Sequence, residues 1–208
     1  MSIQVWLAFL AATFVLSLSP GSGALAVLNA SLERGMRAGW QVVLGLQLAL
    51  LIQLVIVACG VGALLLASES AFTWLRILGS SYLICLGLFQ FRQLLNPVKV
   101  SVHLPKQVPS QKLVVHGLLV NLTNPKALLF SCAFIPQFIV PERNLLQQYF
   151  IIAITMCLAD IVVMGGYGLL ASRMQTFFSE PRLVRLRLML FGAIFVFLGI
   201  AMLGVNGH

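Results

Sequence analysis

Two prolines, Pro20 and Pro125, sit inside hydrophobic segments in the two halves of the chain, 105 residues apart. Each follows a residue suited to capping a helix: Ser19-Pro20-Gly21 in the first half and Asn124-Pro125-Lys126 in the second. Ser or Asn at the N-cap with Pro at the first helical position reads as a helix start. A helix that restarts within a membrane leaves backbone N–H groups unpaired and presents its positive dipole end at that depth. Such an end attracts anionic groups such as a carboxylate. Paired interruptions at corresponding places in two halves are the sequence sign of a carrier's binding site. The backbone N–H groups near Gly21, Ser22 and Gly23 and the start at Pro125 and Lys126 are therefore the expected carboxylate cradle.

Ionisable and polar side chains at similar depth extend the site. Lys126 lies about 13 residues into an apolar stretch, roughly 20 Å from its start at 1.5 Å per residue. A charge there costs a few kcal/mol on insertion scales and marks a candidate site. Asp160 is the one carboxylate deep in a stretch. Three roles are open to it: counter-ion to Lys126, proton carrier, or partner of a substrate ammonium group. Tyr167 follows seven residues later, on the same helical face, and an interfacial anchor is its other reading. Gln47 and Gln53 are six residues apart and off one another's face, so at most one should look into a shared cavity; Gln47 is taken as the site residue. Asn121 adds a further amide just before the second break. Asn29, Ser131 and Thr155 read as helix-to-helix hydrogen bonders. There is no nucleophile–base pair, phosphate loop or metal-ligand spacing, so no enzyme chemistry, cofactor or metal is expected.

The elements that must position these residues follow from composition. The chain has 208 residues, 60% of them hydrophobic and 9% charged, with mean hydropathy +1.02, too apolar for a soluble domain. Six apolar stretches, at roughly 3–32, 40–67, 71–91, 113–139, 147–171 and 186–205, each approach or exceed the roughly 20 residues that span a bilayer. The first lacks a basic region ahead of it and is read as a retained helix rather than a signal peptide. The expected fold is an all-α integral membrane domain over 1–208 with six transmembrane helices, the first and fourth broken at Pro20 and Pro125.

The net charge of +8 does not indicate a nucleic-acid partner, because the basic residues are sorted by loop. Ten fall in loops one–two, three–four and five–six: Arg34 and Arg37; Arg92, Lys99, Lys106 and Lys112; Arg173, Arg182, Arg185 and Arg187. The other side carries only Arg76 and Arg143. By the positive-inside rule both termini face away from the cytoplasm. The polar segment 92–112, with Asn96-Pro97, Pro105 and Pro109, divides the chain into a first three-helix repeat, 1–91, and a second, 113–208, and reads as a cytoplasmic linker. Three spans per repeat is odd, so the second copy enters from the opposite side, as an inverted repeat. Cys59, Cys85, Cys132 and Cys157 are scattered through apolar stretches and are expected as buried small apolar groups.

Several of these residues also carry a resemblance. Asn121-Leu122-Thr123-Asn124-Pro125-Lys126 followed by Phe134-Ile135-Pro136-Gln137-Phe138, Gly79-Ser80-Ser81-Tyr82-Leu83 with Gly87, and Asp160 with Tyr167 resemble the LysE/RhtB family of amino-acid exporters over nearly the whole chain. Leu16 to Ala24 and Gly45-Leu46-Gln47 are similar to the homoserine/homoserine-lactone efflux branch in particular. Many family members carry Pro-Gly-Pro followed by Asp or Asn in the first helix, where this chain has Pro20-Gly21-Ser22-Gly23 and so lacks that acidic or amide group. The resemblance implies export of homoserine, its lactone, threonine or a related small amino acid in exchange for protons across a bacterial inner membrane.

The reading from residues and resemblance together is a carrier whose partners are a small amino acid, protons and the lipid bilayer, with room for a homodimer. Its rival is a passive channel or structural membrane subunit using the same polar residues as helix glue. A carrier saturates and shows counterflow; a pore does neither.

Overall fold

The computed structural model describes residues 3–67, 69–95, 109–140, 142–171 and 180–205. Its regular elements are all helical: α1 (Ile3–Leu18), α2 (Ser22–Arg34), α3 (Met36–Ala67), α4 (Glu69–Leu95), α5 (Leu113–Leu122), α6 (Pro125–Phe134), α7 (Leu145–Leu169) and α8 (Pro181–Val205), with short 3-10 turns at Ser110–Lys112 and Ile135–Phe138. Four stretches are long and apolar enough to cross a membrane alone, Met36–Gly60, Thr73–Leu94, Leu145–Leu169 and Arg182–Gly204. Two bent pairs, α1 with α2 (56°) and the segment Ser110–Leu122 with Pro125–Phe138 (59°), supply one further span each if a pair counts as a single crossing. Most of the expected linker, 96–108 with Asn96, Pro97, Lys99, Pro105 and Lys106, lies outside the described residues, as does Arg173.

The outer surface is apolar. Helix α3 alone exposes Leu44, Leu48, Leu51, Ile52, Val55 and Ile56, which suits hydrocarbon and would be costly against water. Cys59, Cys85 and Cys132 are also exposed and Cys157 is half-buried, which corrects the expectation that all four are buried: a thiol facing lipid needs no burial in protein, because it already behaves as a small apolar group. Another correction concerns α8, which begins at Pro181. Arg182, Arg185 and Arg187 therefore lie within its first turns rather than in a loop, and Arg187 is buried.

Glycines set the closest helix crossings. A Cβ at Gly117 of α5 would strike the Val42 carbonyl of α3, and one at Gly45 of α3 would strike the Val114 carbonyl and lie 2.7 Å from Leu118 N. Helices α4 and α8 meet in the same way, with Gly87 against Gly192 and Gly199 against the Ser80 carbonyl. Small residues allow this approach, and packing is what drives helix association in lipid. Gly117→Ala is expected to destabilise the protein by about 1–3 kcal/mol through forced separation of α3 and α5. Thermal unfolding in detergent reads this, and an unchanged midpoint would show that the crossing yields without cost.

Below the breaks, four aromatic rings fill the space between α1 and α6. Phe9 stacks on Phe134 at 5.7 Å and meets Phe138 edge-on at 5.0 Å, while Phe130 stacks on Phe134 at 4.2 Å. Phe9, Phe130 and Phe134 are fully buried. Through Phe130 this cluster reaches the cavity described next and backs its floor.

Candidate functional site

The two breaks face one another. A Cβ at Gly21 would lie 3.8 Å from Asn124 Nδ2 and 3.9 Å from Lys126 Cδ, so the starts of α2 and α6 lie close together although they are a hundred residues apart in sequence. The second start follows the expected chemistry. Asn124 is the N-cap of α6, its Oδ1 accepts from Lys126 N at 3.0 Å, and Pro125 takes the first helical position. The first start does not. Ser19 N donates to the Val15 and Leu16 carbonyls at 3.0 and 3.1 Å, so Ser19 closes α1 instead of capping α2. Gly21 is the cap residue, extended at φ −132° and ψ −167°, and makes no side-chain cap bond. The first intrahelical bond of α2 runs from Leu25 N to the Gly21 carbonyl. The N–H groups of Ser22, Gly23 and Ala24 therefore have no partner within that helix.

Between these starts lies a cavity of ≈ 90 Å³ lined on one side by Ser17, Ser19, Gly21, Gly23 and Ala24, and on the other by Asn121, Asn124, Lys126 and Ala127. Asp160 and Met156 of α7 and Leu46, Leu50 and Gln53 of α3 complete the walls, with Thr13, Phe130 and Ser131 toward the aromatic floor. A buried water needs about 10–15 Å³ of such space, so the cavity suits a small molecule rather than a large ligand.

Each ionisable group is held by a specific partner. Gln47 Nε2 donates to Asp160 Oδ2 at 2.7 Å, and the Ser17 hydroxyl adds a second bond to that carboxylate. Among the described residues the Gln47 amide oxygen has no partner. Lys126 Nζ donates to the Ser19 carbonyl at 2.7 Å and stands 5.7 Å from the centre of the Phe195 ring. Tyr167 OH donates to the Leu18 carbonyl at 2.8 Å. Lys126 and Tyr167 thus satisfy two carbonyls orphaned where α1 stops, a need created by the break itself. Among the described residues no ion pair joins Lys126 to Asp160, although both line the one cavity.

Of the residues expected at the site, Ser19, Gly21, Gly23, Asn121, Asn124, Lys126 and Asp160 line the cavity. Pro20, Ser22 and Pro125 shape the breaks without lining it; Gln47 reaches it through Asp160, and Tyr167 lies behind the end of α1. Gln53 was not expected there. Its Nε2 donates to the Asn121 carbonyl at 2.9 Å, while Asn121 Nδ2 donates to the Leu46 carbonyl at 3.0 Å. Helix α3 is sandwiched between α5 and α7, so Gln47 and Gln53 serve different neighbours and their separation around the helix is no obstacle. Thr155, expected to bond between helices, accepts from Trp6 Nε1 at 3.1 Å.

A cavity framed by two helix starts, one cation and one carboxylate within an apolar bundle is the arrangement of a membrane carrier, and comparison with known proteins agrees. The profile of the LysE type translocator family matches residues 14–205. The chain is 38% identical over 200 residues to the homoserine/homoserine lactone efflux protein of Salmonella typhimurium, covering 96% of each. It is 36% identical to an uncharacterized membrane protein of Vibrio cholerae over 94% of this chain and 95% of that protein. A leucine efflux protein of Enterobacter sp. is 30% identical over 76% of this chain and 74% of its own length. No solved structure matches the chain. It is a multi-pass membrane protein, a transporter and not an enzyme, and it belongs to the LysE type translocator family.

Proposed function

We propose that this protein is a secondary exporter of small amino acids, with homoserine, its lactone and threonine as the substrate class, working by proton antiport across the bacterial inner membrane. The observation that carries this reading is the meeting of the two helix starts around Lys126 and Asp160. Free N–H groups at Gly23 and Ala24, with Lys126, are complementary to a substrate carboxylate or, in the lactone, to the ester carbonyl that replaces it. Asp160, with Ser17 and Gln47 as its orienting partners, takes either the substrate ammonium group or a proton. Exclusive occupancy of Asp160 by one or the other couples the two fluxes when the site faces the two sides in turn. The homoserine/homoserine lactone efflux protein that it resembles over 96% of the chain supports the substrate class.

Six spans arranged as two inverted three-helix repeats give this site its two-sided access. The near-equal bends of the two broken pairs support the repeat. In this arrangement both termini are periplasmic. Cysteine tags at Ser2 and Gly207 are expected to react with an impermeant thiol reagent from the periplasmic side, and labelling of either only from the cytoplasmic side would overturn the six-span arrangement.

The coupling is tested in inverted membrane vesicles. An imposed pH gradient should drive accumulation of labelled homoserine above its equilibrium level, and a collapsed gradient should abolish that accumulation. Accumulation indifferent to the gradient would refute proton antiport.

A further inference from the structure

The proposed carboxylate and ammonium contacts leave one part of the cavity unassigned, the end next to the aromatic floor. There α1 presents Thr13, one helical turn before Ser17. Thr13 is 1% exposed, lines the cavity, and among the described residues its Oγ1 has no hydrogen-bond partner. This is unusual for a threonine in an apolar helix, which normally returns its hydroxyl to the carbonyl four residues back. Thr123 and Thr155 do so, to the Leu119 and Ile151 carbonyls, both at 2.7 Å. A buried hydroxyl without a partner is destabilising in the empty protein, and such groups call for an explanation.

We infer that Thr13 is the specificity-determining residue that reads the substrate side chain, pairing its hydroxyl with a hydroxyl group on the substrate. This rests on the transport reading above. One turn along α1 is about 5.4 Å, comparable with the reach from an amino-acid ammonium group to a side-chain hydroxyl two carbons beyond the α-carbon. A substrate with its ammonium group at Asp160 and Ser17 thus places that hydroxyl at Thr13. Leu50, Phe130 and Met156 also line the cavity and suit the intervening methylenes. A substrate ending in a methyl group fits the same space but leaves Thr13 unpaired, and discrimination of this kind is what a buried polar group in a site enforces.

The test compares homoserine with norvaline, which has the same length and shape but a methyl in place of the hydroxyl. Counterflow of each is measured in proteoliposomes for the wild-type chain, Thr13→Val and Thr13→Ser. Thr13→Val, which keeps the shape and removes an unpaired buried hydroxyl, should fold at least as well by thermal unfolding in detergent. Its preference for homoserine, as the ratio of kcat/KM values, should fall on the order of 10-fold, the size of one buried hydrogen bond. Thr13→Ser should keep the wild-type ratio. A ratio in Thr13→Val within twofold of wild type overturns this inference alone. Failure of the wild-type chain to exchange either amino acid overturns the transport reading and this inference with it.

Discussion

Asp160→Asn is expected to reduce pH-driven uptake into inverted vesicles to the background of vesicles lacking the protein, while substrate exchange without a gradient persists only with a raised KM, because the ammonium group loses its charged partner. Asparagine keeps the size and a hydrogen-bonding group but cannot titrate. The fold should tolerate it, since the carboxylate's partners can adjust: the Gln47 amide, which donates to Asp160 at 2.7 Å and has a free oxygen, can turn to accept from the new side chain, and Ser17 can reverse its hydroxyl. A structural counter-ion would behave otherwise. Removing one member of a buried pair costs about 3–5 kcal/mol, so the variant would be poorly folded and a second change, Lys126→Met, would partly rescue it. Lys126 engages the Ser19 carbonyl instead, so folded yield should stay near wild type. Undiminished pH-driven uptake by well-folded Asp160→Asn would remove the carboxylate from the coupling.

Lys126→Met should cost the carrier its hold on the substrate. In the empty site the ammonium group donates at 2.7 Å to the carbonyl that ends α1, and a substrate carboxylate competes for that donor. Truncating one partner of a buried, hydrogen-bonded charge pair costs about 2–5 kcal/mol, so the KM for exchange should rise on the order of 30-fold or more. The Ser19 carbonyl also loses its partner, a penalty of about 1–3 kcal/mol, so unfolding should move to lower temperature. Wild-type KM in folded Lys126→Met would exclude this lysine from carboxylate binding.

How far the site was legible in the sequence depends on the kind of interaction. The breaks were legible because Pro and Gly act locally: Pro20 and Pro125 removed ladder bonds where no long helix could repair them, and Asn124 capped α6 as its side chain dictates. Ser19 was misread for a reason that is also local. Its own N–H was still engaged by the last turn of α1, leaving the extended glycine beyond the proline to open α2, and residue type alone does not distinguish these two registers. Lys126 and Asp160 stood out as charges in apolar stretches. What sequence could not reveal was which helix each face meets. Gln53 and Thr13 are part of the cavity only because α3 lies between α5 and α7 and because α1 crosses above the aromatic floor. Arg187 has the composition of a loop cation, yet α8 starts at Pro181 and Arg187 is buried. Such placements are tertiary, and a one-letter code carries no signal for them beyond a polar residue in an apolar run.

The central claim is that a small amino acid is bound and carried at the junction of the two helix starts. It is tested most directly by counterflow of labelled homoserine into proteoliposomes loaded with excess unlabelled homoserine, with no pH gradient. The account predicts a transient accumulation above equilibrium that saturates with external substrate and is weakened by Lys126→Met. Uptake that never exceeds equilibrium and rises linearly with concentration would be the behaviour of a pore and would contradict it.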